Sequence, residues 1–303
     1  MGSLDRPDQP DEPGRAEQAD ARGPDRPTPK PRELPDPDER GRAYEAMLAH
    51  FSAEVATEAS PGRLQPDGTD RRSYWNEVPR FLEMRADLDR RWPAGQRAAI
   101  DGPPDPPGSA DAIGGLREAE KEVSEDVQAM VQKNKEGYGG WLEGFENRLK
   151  GEDRLREKIA AVLEVEPSMT AAEALREIPD AIRYTYCFQT ENYARGYYDI
   201  KELFESRGYE MYYSENYWTN PEYKGVNTRW VTREAQRFEI QFHTPESFHA
   251  KQNVTHAAYE RIRDPATSDE ERAELKAFQR EVSSWARAPD GAADIPNYRK
   301  EGF

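Results

Sequence analysis

Arg237-Phe-Glu-Ile-Gln-Phe242, with the His243-Thr244 that follows it, decides how the second half of this chain folds. Alternation places Phe238, Ile240 and Phe242 on one face of an extended segment and Glu239, Gln241 and His243 on the other, the period-two pattern of a strand. A row of Glu, Gln and His on one face is either solvated or lines a polar pocket. Outward from it, Ile182–Phe188 (IRYTYCF), Tyr209–Tyr213 and Thr228–Val231 share the same β-branched and aromatic character and read as further strands. Tyr198 to Arg207 carries Ile200, Leu203 and Phe204 at helical spacing, with Gly208 placed as a C-cap. Upstream, Ile113, Leu116, Val123, Val127, Met130 and Val131 predict a helix over 110–134, ended by Gly137 to Gly140. A second helix is expected from Trp141, carrying Leu142, Phe145, Leu149, Leu155 and Ile159, and a third over Ala171–Leu175 behind Ser168 and Thr170. Helices His249–Arg263 and Asp269–Trp285 complete the pattern. The order predicts an α+β domain over residues 110–290, a mixed β-sheet flanked by helices.

The remainder is different in composition. Residues 1–42 hold nine of the 24 prolines among Asp, Glu and Arg, which predicts a disordered, acidic, Pro-rich tail. Residues 43–100 read as a small helical segment, from Tyr44 to Phe51 and from Tyr74 to Trp92. Residues 101–109 form a Pro/Gly linker that cannot continue a helix, and residues 291–303 a C-terminal tail. The 59 acidic and 43 basic residues give a net charge of −16, which argues against DNA or a general nucleic-acid coat as partner. No run of about 18 apolar residues could span a membrane, and the first residues lack a signal-peptide core, so a cytoplasmic site of action is expected, with a specialised export route left open. A lone cysteine, Cys187, excludes a disulfide framework and reads as a small core residue.

In so acidic a chain, local clusters become informative. Arg148-Leu-Lys150-Gly-Glu-Asp-Arg154-Leu-Arg156-Glu-Lys158 packs five cations into eleven residues. Such a run suits a solvated helix face or a polyphosphate, and a planar guanidinium can also stack on a base. Asp180, with Arg183 three residues on, starts the first strand, where it either turns the chain or faces a metal ion. Tyr217-Trp218 and Pro221-Glu-Tyr223-Lys224-Gly225-Val226-Asn227 offer a loop that either covers the core or presents a face to a nucleobase. His256 and Tyr259 lie three apart on one helix face, where they either make structural hydrogen bonds or close the polar pocket of the Glu239 strand.

Together these residues resemble the synthetase domain of the RelA/SpoT family, the (p)ppGpp alarmone synthetases. The family's Arg-x-Lys-x-x-x-Ser-x-x-x-Lys is met at Arg148, Lys150 and Lys158, with Arg154 in place of serine. Its Gly-Tyr-x-Ser-x-His element is similar to Glu222 through Asn227, keeping Tyr223. Its Glu-x-Gln-x-Arg-Thr strand resembles Glu239 through Thr244, with His243 for arginine, and His256-Ala-Ala-Tyr259 matches the closing His-x-x-Tyr. The likeness covers residues 110 to 265 and implies a nucleotidyltransferase-like synthetase fold.

The resemblance implies transfer of the β,γ-pyrophosphate of ATP to the ribose 3′-hydroxyl of a purine nucleotide, GDP/GTP or ADP/AMP. Arg148, Lys150, Lys158 and Arg183 would bind ATP, with Arg148 on the adenine. Asp180 and Glu239 would hold Mg²⁺, and Glu239, Asp180 and Lys150 would carry catalysis. Tyr223 would stack on the acceptor base, with Lys224, Asn227, Gln241, His243 and His256 lining the acceptor. Four histidines without a His-Asp pair leave no hydrolase domain of the long family members, so synthesis alone is expected. Such an enzyme with a Pro-rich N-terminal region is similar to the toxin branch of the family, for which a transfer-RNA end is a further acceptor and an antitoxin or immunity protein a partner. Two rival readings are an ADP-ribosyltransferase-like toxin, in which Gln241 stands where that chemistry places glutamate, and a non-catalytic nucleotide-binding module on the same fold.

Overall fold

The computed structural model describes residues 73–93, 105–135 and 137–302. The expected tail over 1–42, the Tyr44–Phe51 segment and residues 101–104 of the linker lie outside them. The described elements run α1 (Tyr74–Arg91), α2 (Ser109–Lys135), β1 (Trp141–Glu143), α3 (Glu152–Val165), α4 (Ala171–Arg176), β2 (Arg183–Cys187), α5 (Tyr193–Ser206), β3 (Glu210–Asn216), β4 (Val226–Val231), β5 (Arg237–His243) and α6 (Pro245–His249). A π-helical segment, Ala250–Thr255, leads into α7 (His256–Arg263), followed by α8 (Asp269–Ser284) and β6 (Tyr298–Arg299). The six strands form one sheet in the order β1-β2-β5-β4-β3-β6. Only β2 and β5 pair in parallel, so the mixed α+β architecture is as the strand pattern predicts.

Register builds the two faces of this sheet row by row. Tyr184 pairs with Ile240 and Tyr186 with Phe242, while Trp230 sits opposite Phe238. This apolar face is covered by α5, which buries Tyr193, Tyr197, Ile200 and Phe204, and by Val123, Val127 and Met130 of α2. The Tyr197 ring meets Phe242 edge to face at 5.0 Å, an arrangement favoured by the aromatic quadrupole. The helix comes close at Gly196, where any Cβ would lie 2.2 Å from the Phe188 ring. The opposite face carries Arg183, Glu239 and Arg229 in one row and Thr185, Gln241 and Asn227 in the next. That second face is polar, with Glu239, Gln241 and Asn227 buried and Arg183, Arg229 and Thr185 half-buried, and it organises the site.

Helix α1 packs against the C-terminal helices. Tyr74 Oη lies 2.9 Å from His249 Nδ1, and Arg85 Nη1 donates to Asn253 O at 2.9 Å. At the far end Arg91 bonds Glu274 at 2.6 Å, and Arg261 donates to Trp92 O at 2.6 Å. The Tyr74–Trp92 helical stretch therefore belongs with the helices that follow the sheet.

Four expectations change. Trp141, Leu142 and Phe145 do not open a helix: Trp141–Glu143 is an edge strand antiparallel to β2. Gly139 and Gly144 adopt left-handed φ of +69° and +59°, and a Cβ at Gly140 would fall 2.2 Å from Tyr186, so the chain is turned and pressed against the sheet before α3 begins. Asp180 lies in the turn ahead of β2 rather than on a strand. The helix expected over His249–Arg263 is broken by the π segment. Residues 291–303 are no loose tail, since Tyr298 and Arg299 pair with Ser214 and Tyr213 and Asn216 Nδ2 donates to Ala292 O and Ile295 O at 2.7 and 2.8 Å.

Burial holds the His249 imidazole down to about 4. Unfolded, it protonates near 6.5, so the unfolded chain binds the extra proton between those values and stability falls as pH drops from about 6.5 toward 4. Urea unfolding should show the wild type losing about 2 kcal/mol from this group by pH 5, with His249→Gln losing correspondingly less over the same interval.

Candidate active site

The polar face of the sheet centres on Glu239, which is completely buried. Its Oε1 accepts from Gln241 Nε2, while Oε2 accepts no hydrogen bond. Burial raises its pKa, opposed by the charges of Arg183 and Arg229 and reinforced by Asp180. A lone buried oxygen on a carboxylate between arginines costs stability unless a substrate or cation completes it.

Asp180, just before β2, is held by two lysines. Lys150 Nζ meets its Oδ2 at 2.8 Å and Lys158 Nζ its Oδ1 at 2.8 Å. Burial would raise the Asp180 pKa, but the two ammonium charges outweigh it and hold the carboxyl below its usual range. Lys150 is almost entirely buried, whereas 31% of the Lys158 side chain reaches solvent. The backbone makes this convergence: Lys150 N bonds Ala181 O at 3.1 Å and Arg183 N bonds Arg148 O at 2.7 Å, pinning the Arg148–Lys150 segment beside the start of β2. The Arg148 guanidinium lies 4.5 Å above the Phe145 ring, and its edge is taken by the carboxylate of buried Glu120. A guanidinium fixed on one aromatic face, with its edge neutralised, is preorganised to stack.

Beyond Glu239 the polar face opens into a cleft bordered by Tyr223, Lys224, Asn227, Gln241, Lys251 and Tyr259, with Gln279 and Ser283 from α8. Tyr223 Oη donates to Asn227 Oδ1 at 2.8 Å and lies 3.0 Å from His243 Nε2. Gly225, at φ +158°, lets the loop close over this corner, since a Cβ there would meet Phe242 O at 2.9 Å and His243 at 3.0 Å. Burial, with Lys251 nearby, pushes the His243 pKa well down, so the ring is neutral and serves the hydrogen-bond network. Lys224 donates to Trp218 O at 3.0 Å.

The structure thus groups Arg148, Lys150, Lys158, Asp180 and Arg183 near one side of Glu239, and Tyr223, Lys224, Asn227, Gln241 and His243 near the other. His256, at the start of α7, does not border the cleft, although Tyr259 of the same motif does. Two residues escaped the motif reading. Glu120 lies nearly thirty residues before Arg148 and carries no local pattern. Lys251 is buried, and burial with the charge of Arg183 pushes its pKa down to about 7. It lies in the π segment Ala250–Thr255, outside every motif. Among the described residues no group of three or more His, Cys, Asp and Glu forms a metal site, so any divalent ion would depend on Asp180 and Glu239 with substrate oxygens.

No family model and no curated protein matches this chain. Among solved structures it is similar to the Type VI effector Tas1 in complex with its immunity protein, at 19% identity and a TM-score of 0.42 over 60% of this chain and 97% of that one. It is also similar to small alarmone synthetase 1 from Bacillus subtilis, at 13% identity and TM-score 0.37 over 59% of this chain and 91% of that one. A third is a GTP pyrophosphokinase family protein from Streptococcus pneumoniae, at 12% identity and TM-score 0.36, covering 58% of this chain and 87% of that one. The likeness stays below 20% identity and below a TM-score of 0.5 in all three. At these identities and scores it assigns neither reaction nor substrate, and the residues must carry both.

The lysine clasp has an asymmetric signature. Asp180→Asn leaves buried Lys150 without its counter-charge and should cost about 3 kcal/mol or more. Lys158→Met removes the more exposed partner and should cost about 1 kcal/mol or less. Denaturant midpoints of the two variants measure the difference.

Proposed function

We propose that this protein is a pyrophosphokinase that moves the β,γ-pyrophosphate of ATP onto the ribose 3′-hydroxyl of a purine nucleotide. The observation that carries the reading is the placement of Glu239, a buried carboxylate with one oxygen unpartnered, between a basic cluster on one side and an aromatic cleft on the other. Such a transfer needs donor charge neutralised, a hydroxyl activated and two reactants aligned.

The residues supply each requirement. Arg148 stacks its open face on the adenine, and Lys150, Lys158 and Arg183 take the donor phosphates, the lysines exchanging Asp180 for phosphate oxygens. Tyr223 stacks on the acceptor base, with Lys224, Asn227 and Gln241 along the sugar and its phosphates. Glu239 accepts the proton of the 3′-hydroxyl, a task suited to a carboxylate whose pKa lies above the usual range. The 3′-oxygen then bonds to the β-phosphorus of ATP as the bond from that phosphorus to the α,β-bridging oxygen breaks, and AMP departs. Mg²⁺ fits the donor set, since Asp180 and Glu239 offer hard carboxylate oxygens and Glu239 Oε2 has no other partner. When bound by these two residues it would neutralise charge on the transferring group. A toxin or effector role, a transfer-RNA end as acceptor and an immunity-protein partner stay within this reading.

The test is incubation with labelled ATP, Mg²⁺ and, separately, GDP, GTP, ADP, AMP and transfer RNA, followed by ion-exchange separation. A pyrophosphorylated product with stoichiometric AMP is expected. ATP binding without AMP in any mixture would leave a binding module, and consumption of NAD instead would point to ADP-ribosyl transfer. Glu239→Gln should abolish turnover with the thermal transition retained, and undiminished activity would remove Glu239 from the mechanism. Tyr223→Ala should raise the acceptor KM at least about fivefold, matching the ~1–3 kcal/mol of a stacked base, and leave the KM for ATP near its original value.

A further inference from the structure

Lys251 is a buried titratable group that the reaction above leaves without a task. It sits in the second position of the π segment Ala250–Thr255, where Thr255 Oγ1 caps Ala250 O at 2.8 Å across five residues. A π turn costs helical regularity and is frequent where a side chain must be aimed into a site. Here Lys251 lies in that turn and reaches the sheet. Nζ donates to Gln241 Oε1, and Gln241 Nε2 donates in turn to Glu239 Oε1. The amide is thereby polarised from both ends, its oxygen facing an amine and its nitrogen a carboxylate.

That arrangement solves a problem of orientation. A primary amide is nearly symmetric in shape, and a flip would turn its oxygen toward Glu239 Oε1 and oppose two acceptors. Gln241 is itself almost fully buried, so water cannot fix the choice. We infer that Lys251 is a positioning residue that locks the Gln241 amide and, through it, holds Glu239 so that Oε2 alone faces the reacting hydroxyl. The groups around the chain are Arg183 and Cys187 on β2, Arg229 on β4, Asp180 in the preceding turn, and His243 on β5. The donor to Gln241 Oε1 is Lys251. The inference rests on Glu239 acting as proposed above, but the lock itself is a feature of the free protein.

Two measurements on the full chain test it. The first needs no substrate: the side-chain ¹⁵N–¹H resonances of Gln241, assigned with Gln241→Met, should shift or broaden in Lys251→Met while those of surface glutamines stay in place. Unchanged Gln241 resonances would overturn the inference whether or not the protein has activity. Should Lys251→Met fail to fold, Lys251→Gln, whose side chain is too short to span the gap, is expected to give the same shift. The second is a double-mutant cycle in AMP release. Lys251→Met and Gln241→Met should each lower kcat about tenfold or more, with the ATP KM changed little, and the double variant should lose no more than the worse single one. Additive losses would show that Lys251 does not act through Gln241. Failure of the wild type to release AMP would remove the proposed reaction and leave the resonance test to decide the lock.

Discussion

A carboxylate with no access to water is the constraint around which this structure is arranged. Glu239 lies in the centre of a six-stranded sheet, and burying an ionisable group there is tolerable only if neighbouring strands bring compensating charge. The parallel pairing of β2 with β5 and the antiparallel pairing of β4 with β5 place Arg183 and Arg229 in its row. A register slip of one residue would reverse every face, exposing Phe238, Ile240 and Phe242 and burying the arginines against the aromatic core. The hydrophobic layer beneath α2 and α5 therefore does more than stabilise. It fixes the register that makes the polar row.

The same economy governs the cations. Lys150 is too buried to be left alone, and Asp180 is too buried to go unpaired, so each makes the other tolerable. Lys158 is the looser third member, able to exchange a protein carboxylate for a ligand's oxygens at small cost. Arg148 follows another route to the same end, with its charge met by Glu120 and its face left for an aromatic system. The basic groups of this cluster are thus held by carboxylates, in a chain whose net charge is −16.

Much of this was legible from residue order. The alternation at Phe238–His243 and the aromatic runs around it announce the sheet and tell its two faces apart, because period two is a strong signal when one face is Phe and the other Glu, Gln and His. Arg148, Lys150, Asp180, Tyr223 and Glu239 stand out as clusters of chemistry. What escaped depends on distance or on backbone exceptions. Trp141, Leu142 and Phe145 mimic helical spacing, yet left-handed glycines on either side and the crowding at Gly140 make them an edge strand. Glu120 acquires meaning only when α2 is laid across Arg148. Lys251 belongs to no motif, and its burial is apparent only in the folded chain.

The packing of α1 bears on where a working fragment of this chain can be cut. The proline-rich stretch over 101–109 invites a boundary, and expression from residue 105 onward would retain every described strand. It would also strip Tyr74 from His249, Arg85 from the carbonyl of Asn253 and Trp92 from Arg261, uncovering the outer side of the helices that wall the cleft. The folded body accordingly includes the helix that starts at Tyr74, on the far side of what the sequence marks as a linker, and a cut that honours the prolines would discard that helix.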